Sequence, residues 1–276
     1  MRELLGRFLA SKLAVAGAAV IGLFVLMAIF APWIAPHDPY AMDSGAALSA
    51  PGDGYWLGTD RFGRDILSRI IYGSRISLWV GIVSVGIALS VGTTIGVIAG
   101  YFGGWVDSAL SRLTDTLLSF PDIFLALAIM AILGESTTNV MIAIGIVYTP
   151  IFARIARGSV LQVKASAFIE AARALGVGHG RIMFRHVLPN IGPPLIVQTT
   201  LSLAFAILAE AALSFLGFGV EPDAASWGVM LNEGKDWMEL AWWVAVFPGI
   251  AITLAVFSFN VLGDGLRDAL DPRMGE

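Results

Sequence analysis

Long apolar stretches alternate with short polar segments along most of the chain. A membrane-spanning helix needs about 20 mostly apolar residues, and six stretches approach or exceed this length. The pattern therefore predicts an all-α polytopic membrane protein with six transmembrane helices. The predicted spans are residues 13–34, 76–100, 109–133, 140–155, 191–215 and 240–262.

The first apolar stretch follows a basic N-terminus, as the apolar core of a signal peptide does. It is longer than the roughly 7–15 residues of such a core, and Trp33 and Pro36 close it in place of a small-residue cleavage site. We therefore interpret it as an uncleaved anchor. The predicted organisation is an anchor helix with an extracytoplasmic segment in residues 1–75, followed by a five-helix core in residues 76–276.

Composition supports the membrane assignment and excludes several kinds of site. Only 14% of the residues are charged, against about a quarter in soluble domains. The absence of cysteine excludes disulfides, thiol catalysis and cysteine-ligated metals. The three histidines, His37, His179 and His186, lie outside the predicted spans, so we expect no metal site. The net charge of −4 indicates no general attraction to nucleic acid.

Basic residues predict the orientation, because Lys and Arg near spans favour the cytoplasmic side. With both termini inside, 12 of the 17 basic residues lie on that side. The inverted topology reverses the bias, so an N-in/C-in arrangement is predicted. The 12 residues are Arg2, Arg7, Lys12, Arg112, Arg154, Arg157, Lys164, Arg173, Arg181, Arg185, Arg267 and Arg273.

The predicted cytoplasmic loop 156–190 is the longest charged interruption in the second half of the chain. A helix-forming run at 167–175 precedes Gly176, Gly178 and Gly180, and Leu188-Pro189 precedes the next span. This order predicts a short helix, a sharp turn at the glycines and a return into the membrane. Such a structured segment is suited to docking a second protein, and an ordinary amphipathic loop is the alternative.

Small and polar residues inside the spans indicate packing and a possible path. Gly92, Gly96 and Gly100 share one helix face, which predicts a close approach by a neighbouring helix. Arg112 and Asp115 are expected to form a local pair. Polar groups in a membrane are costly and often functional, although they equally suit hydrogen bonds between helices. The translocation-path candidates are Asp122, Tyr148, Thr149, Gln198, Thr199 and Glu210.

Residues 170–189 resemble the EAA signature of ABC importer permeases. Glu170-Ala171-Ala172, Gly176 and Leu188-Pro189 match it in spacing, whereas His186 occupies a position that is usually apolar. The resemblance implies a coupling helix that fits into a cleft on a separate ATPase subunit. The implied coupling residues are Glu170, Ala171, Ala172, Arg173, Leu175, Gly176, Gly178, Leu188 and Pro189.

Further motifs resemble the C-type subunits of the dipeptide, oligopeptide, nickel and opine permeases. They follow one another in the order typical of that branch, from about residue 56 to residue 273. They are Gly58-Thr59-Asp60 with Gly63-Arg64-Asp65, Tyr101-Phe102-Gly103-Gly104-Trp105-Val106-Asp107, Leu118-Ser119-Phe120-Pro121, Leu213-Ser214-Phe215-Leu216-Gly217, and Gly263-Asp264-Gly265-Leu266-Arg267-Asp268 with Asp271-Pro272.

This resemblance implies a type I ABC importer permease fold in the cytoplasmic (inner) membrane of a bacterium or archaeon. The resemblance also implies that the chain lies in the lipid bilayer and forms a heterodimer with a homologous B-type permease. The other implied partners are two ATPase subunits and an extracytoplasmic substrate-binding protein. The chain would form half of a translocation pathway for di- or oligopeptides. Nickel chelates, opines, glutathione and oligosaccharides are alternative cargoes, because their permeases share these motifs.

The chain lacks the pattern needed to bind ATP itself. A P-loop requires glycine, four residues, and then Gly-Lys followed by Ser or Thr. Gly234-Lys235 is followed by Asp236, and the preceding glycine, Gly228, lies one residue too far away. We therefore expect a non-catalytic subunit without cofactors of its own, with ATP and Mg on the partner ATPases.

Two other classes of function give different expectations. An intramembrane enzyme needs a nucleophile–base pair or a metal cluster within the spans. The predicted spans contain no histidine, and Asp115 and Asp122 are the carboxylates expected on a shared mid-membrane helix face. A passive channel would not need a docking loop at residues 156–190.

Overall fold

The computed structural model describes residues 6, 8–52 and 54–270. Five helices there are long and apolar enough to cross a membrane, or six when one bent pair counts as a single span. The predicted all-α, six-span fold is therefore confirmed. In chain order the helices are α1 (Lys12–Ile34), α2 (Ile66–Phe102), α3 (Gly104–Leu118), α4 (Asp122–Leu133), α5 (Thr137–Lys164), α6 (Ala167–Ala174), α7 (His179–Arg181), α8 (Leu188–Asn190), α9 (Gly192–Phe215), α10 (Trp227–Lys235) and α11 (Trp243–Leu270), with a π-helical turn at Ile182–Val187 and a 3₁₀ turn at Ser44–Ala46.

Several helices extend beyond the predicted spans. α2 begins at Ile66, α5 continues to Lys164 and α11 continues to Leu270. Backbone hydrogen bonding continues into polar helix ends, whereas hydropathy detects only the apolar part. The predicted boundary between residues 75 and 76 consequently falls inside α2. Residues 156–164 belong to α5, so we define the loop segment as residues 165–190.

The third predicted span, residues 109–133, is wrong as one continuous helix. It is divided between α3 and α4, which are bent by 91° at a short break. Pro121 accounts for the break, since proline has no N–H to continue the helix and disfavours a helical conformation in the residue before it. Asp115 and Asp122 therefore lie on two differently directed helices and do not share a face.

Ion pairs hold α3 against α5. The Arg157 guanidinium donates to both carboxylate oxygens of Asp107, at 2.5 and 2.7 Å. Arg154 donates to Asp115 at 2.7 Å. The predicted local pair between Arg112 and Asp115 is therefore wrong, because the bend at Pro121 leaves α3 alongside α5 and offers Asp115 a partner there.

The glycine face of α2 packs directly on α5. A Cβ atom at Gly100 would lie 3.0 Å from the carbonyl oxygen of Arg157, and one at Gly92 or Gly96 would overlap the carbonyls of Thr149 or Ala153. The predicted close approach is confirmed. Without hydrophobic driving force between helices in lipid, such backbone proximity allows the van der Waals contact that holds them together.

A buried ion network joins the segment between α1 and α2 to α10, at the end of the bundle away from the loop segment. Arg64 donates to Asp60 at 2.5 Å and to Glu233 at 2.7 Å, and Arg69 donates to Glu233 at 3.3 Å. Burial by itself lowers the pKa of Arg64, but the hydrogen bond to Glu233 and the charge of Asp60 raise the pKa overall. Arg64 therefore remains charged inside the protein.

None of these contacts tests the predicted N-in/C-in orientation. Arg2, Arg7 and Arg273, as well as the Asp271-Pro272 motif, lie outside the described residues. The N-in/C-in arrangement therefore stays a prediction from the distribution of basic residues.

Replacing Gly96 with alanine is expected to destabilise the bundle by about 1–3 kcal/mol through overpacking. The new Cβ would overlap the Ala153 carbonyl. Thermal unfolding in detergent should show a lower midpoint for Gly96→Ala. Gly86 is the matched control, because it lies on the same helix with nothing within 4 Å of the added Cβ. An equal loss in both variants would contradict the packing argument.

Candidate functional site

The loop segment contains a short amphipathic helix, α6. Ile169 and Ala172 are buried in the protein, and their three-residue spacing places them on one helix face. Glu170, Ala171 and Arg173 are exposed. The helix thus presents most of the Glu-Ala-Ala-Arg sequence outward while two apolar side chains hold it against the bundle.

A Schellman motif ends α6 at Gly176. The amide of Gly176 donates to the Arg173 carbonyl at 2.9 Å, and the amide of Val177 donates to the Ala172 carbonyl at 3.0 Å. Gly176 has a φ of 75°, which glycine adopts at little cost. Gly178, with φ of −63°, is instead the N-cap residue of α7. The expectation that all three glycines form the turn is therefore wrong, since only Gly176 adopts a left-handed conformation among them.

The second half of the loop segment leads back into the bundle as nearly continuous helix. Ile182 and Val187 are fully buried, and α8 carries Leu188 and Pro189 at its start, where proline is tolerated. His186 is half-buried. The adjacent Val187 provides the apolar contact in this turn.

Three large apolar side chains are the most exposed in the loop segment. Leu175 is 84% exposed, Phe184 is 73% exposed and Phe168 is 47% exposed. Apolar exposure at the end of a helical bundle is typical of a surface that contacts another protein. We call these three residues the apolar patch.

Tyr101, near the end of α2, anchors the loop segment to the bundle. Its hydroxyl is 2.8 Å from Nδ1 of His179 in α7. The Lys164 ammonium at the end of α5 donates to the Tyr101 carbonyl at 2.6 Å. The Arg173 guanidinium of α6 lies 5.8 Å from the Tyr101 ring centroid, within cation–π range. Tyr101 was part of a sequence motif but was not predicted as a coupling residue, since its contacts are distant in the sequence.

The structure brings together only two of the predicted path residues. Asp122 and Tyr148 line one cavity of about 210 Å³. Thr149 and Thr199 donate to carbonyls four residues earlier in their own helices, Gly145 and Leu195, both at 2.7 Å. Gln198 donates to Ser202 at 3.0 Å within α9.

Glu210 of α9 is fully buried between helices. It accepts hydrogen bonds from Ser77 of α2 at 3.1 Å and from Ser214 at 3.0 Å. These hydroxyl groups solvate the carboxyl group inside the protein. The serine partner on α2 lies 133 positions away in the sequence, so sequence spacing gave no indication of it.

A pair of hydrogen bonds connects the start of α5 to the segment after α9. The Thr137 side chain and amide donate to Glu221 at 2.6 and 3.2 Å. The hydrogen bond from the Thr137 hydroxyl is the main cause that lowers the pKa of Glu221.

No group of His, Asp and Glu residues able to hold a metal ion occurs within residues 6, 8–52 and 54–270.

Comparison with known families connects this geometry to transport. Residues 92–276 match the family described as the inner membrane component of binding-protein-dependent transport systems. Residues 1–51 match the N-terminal transmembrane domain of oligopeptide transport permease C. The chain belongs to this permease family. It is therefore a C-type permease of an ABC importer, a multi-pass transport component and not a catalytic enzyme.

Relatives align along almost the whole chain. The dipeptide transport system permease protein DppC of Alkalihalophilus pseudofirmus is 48% identical over 99% of this chain and 90% of the relative. The glutathione transport system permease protein GsiD of Pectobacterium atrosepticum is 43% identical over 99% of this chain and 91% of the relative. Both comparisons cover the anchor helix, the bundle and the loop segment.

A solved structure supports the fold. The permease in inward-facing conformations of the MetNI methionine ABC transporter aligns with a TM-score of 0.62 and 18% identity, covering 75% of this chain and 98% of that chain. At this identity the likeness establishes the type I importer permease fold alone.

Replacing Glu210 with alanine is expected to cost about 1–3 kcal/mol, because Ser77 and Ser214 would lose a buried hydrogen-bond acceptor. Thermal unfolding in detergent should show the loss. Glu210→Gln is the control, since its side-chain oxygen still accepts one hydrogen bond and the volume is kept. Unchanged stability in Glu210→Ala combined with lost uptake would indicate a path role for the carboxyl group in place of a structural one.

Proposed function

We propose that this chain forms one half of the membrane channel of an ATP-driven importer of di- or oligopeptides, in the cytoplasmic membrane with both termini inside. The alignment with a dipeptide permease along nearly the whole chain carries the proposal. The similarity to a glutathione permease is compatible with it, because glutathione is itself a small peptide. Nickel chelates, opines and oligosaccharides have no specific observation in their favour.

The proposed assembly pairs this chain with a homologous B-type permease, two ATPase subunits and an extracytoplasmic substrate-binding protein. The apolar patch supports docking of an ATPase at the loop segment, since an ATPase cleft would remove Phe168, Leu175 and Phe184 from water. ATP and Mg would bind the ATPase subunits. Exposed apolar side chains on α4 and α9, among them Phe124, Ile132 and Phe205, would face the second permease or lipid.

The proposed mechanism moves the loop segment and the bundle together. ATP binding would close the ATPase pair and displace α6, the outward-facing helix of the loop segment. Tyr101 connects α6 and α7 to the ends of α2 and α5 through Arg173, His179 and Lys164. A displacement of α6 would thereby reach the two most closely packed helices of the bundle, as alternating access requires.

Reconstitution tests the proposed function directly. The chain should be co-expressed with candidate permease, ATPase and binding-protein genes from the same genome, purified in mild detergent and placed in proteoliposomes. We expect a stable complex and ATP-dependent uptake of a labelled dipeptide. A chain that purifies alone and transports a solute without ATP would refute the proposal and favour a passive channel.

Gly176→Val is expected to uncouple ATP hydrolysis from uptake or to weaken ATPase binding. A β-branched residue is strained at a φ of 75°, and the strain would unwind the Schellman end of α6. The measurement is the ratio of ATP hydrolysed to dipeptide imported, together with ATPase subunits retained on purification.

Gly178→Val is the matched control for this prediction. Gly178 lies two residues away, has an ordinary extended conformation and has nothing within 4 Å of an added Cβ. Normal coupling in both variants would count against α6 as the coupling element. Equal damage in both would indicate that bulk, not backbone strain, disturbs the docking surface.

A further inference from the structure

A partly open cavity at the side of the bundle has an almost entirely apolar lining, to which Asp122 and Tyr148 also belong. It has a volume of about 210 Å³ and lies between α4, α5 and α9. Ile144 and Val147 of α5 and Phe205 of α9 form part of its apolar lining. The cavity is smaller than the roughly 300–1,000 Å³ of sites that enclose a whole small-molecule ligand, so it suits one end of a short peptide.

The two polar residues lie at the same depth in the bundle. Asp122 is the first residue of α4, whose last residue is Leu133, and the rise of an α-helix places it ~17 Å from that end. Tyr148 lies ~17 Å along α5 from Thr137 by the same measure, and a short turn joins the two helix ends. The predicted spans put the turn between α4 and α5 at the membrane surface; because the hydrocarbon core is about 30 Å thick, this topology places both side chains near the middle of the membrane.

Neither polar group forms a hydrogen bond or ion pair in the part of the chain that the structure describes, so both are available to a ligand. Tyr148 is only 7% exposed as a residue, and its hydroxyl, which forms none of the hydrogen bonds among those residues, is not one of the enclosed polar atoms without a partner. Asp122 is exposed on this chain, and its carboxylate has no ion pair or hydrogen bond among the described residues. Asp107, Asp115 and Glu210 differ in this respect, since each is bonded to arginine or serine.

A mid-membrane carboxylate without an internal partner costs roughly 2.5–3.5 kcal/mol on insertion scales. A cation supplied from outside the chain would offset this cost. Peptides differ in their side chains but share an α-ammonium group and a nearby amide carbonyl. The ammonium complements the Asp122 carboxylate, the amide carbonyl complements the Tyr148 hydroxyl, and the apolar walls suit a variable first side chain.

We propose that Asp122, Tyr148 and the cavity that they line form an intramembrane subsite for the amino-terminal end of a transported peptide. The proposal rests on the proposed peptide-import function. It adds a place within the channel at which this chain contacts its cargo during transport.

Uptake kinetics of the reconstituted complex test the subsite. Asp122→Asn is expected to reduce dipeptide uptake about tenfold, equivalent to ~1.4 kcal/mol, with complex assembly unchanged. Asp122→Glu should recover part of the uptake, and Tyr148→Phe should show a smaller loss. Asp115→Asn is the matched control. Asp115 lies on the neighbouring helix α3, forms an ion pair with Arg154 and is not part of the cavity lining.

Cysteine protection gives a direct readout of occupancy. The chain has no native cysteine, so Ala212→Cys would place a single thiol in the cavity lining. With binding protein, ATP and a dipeptide present, labelling of this thiol by a small methanethiosulfonate should slow, and the added Asp122→Asn change should abolish the slowing. Ala128→Cys, on the exposed side of α4, should label at a rate that the dipeptide does not alter.

The outcomes separate the subsite from the function. A wild-type complex that imports no peptide would overturn the proposed function and the subsite with it. If the wild-type complex imports peptide and the Asp122→Asn and Asp115→Asn complexes have equal uptake, the subsite alone would be overturned. Labelling of Ala212→Cys that a dipeptide never slows, or cross-linking of that thiol to the second permease in every condition, would also overturn it.

Discussion

The close contact between α2 and α5 is the constraint on which the rest of the structure depends. Gly92, Gly96 and Gly100 let the backbone of α2 touch the carbonyls of α5, and no larger residue fits at those positions without displacing a helix. In a membrane, where lipid chains are as apolar as the side chains, this proximity supplies packing that hydrophobic burial cannot. The position of α5 then determines where α3, α4 and the loop segment lie.

α5 joins the two parts of the molecule that the proposed transport cycle uses. It lines the cavity through Tyr148 and reaches the loop segment at Lys164, and the rise of an α-helix makes this distance ~24 Å. The Tyr101 contacts attach the loop segment to α2 and α5 at the same end. A movement of α6 is therefore transmitted to the cavity through α5 and through α2, which packs on α5 at its glycines. No long series of loop contacts is needed.

Polar groups within the bundle divide into satisfied and unsatisfied ones. The Arg64–Glu233 network and the serine partners of Glu210 provide hydrogen bonds to buried ionisable groups, which would be costly to bury without partners. Asp122 and Tyr148 are left without such partners among the described residues. Asp122 also differs from Glu210 in being exposed, so a ligand can reach it.

The sequence by itself determined the spans, the helix 167–175 and the glycine face of α2, because each depends on a local period or on the intrinsic preferences of neighbouring residues. It also carried the family motifs. The tertiary structure alone decided the 91° bend at Pro121, the pairing of Asp115 with Arg154, the role of Glu233 and Tyr101, and the meeting of Asp122 with Tyr148. These features depend on which helices become neighbours. A hydropathy pattern predicts where each helix crosses the membrane, but it does not predict which helix packs against it.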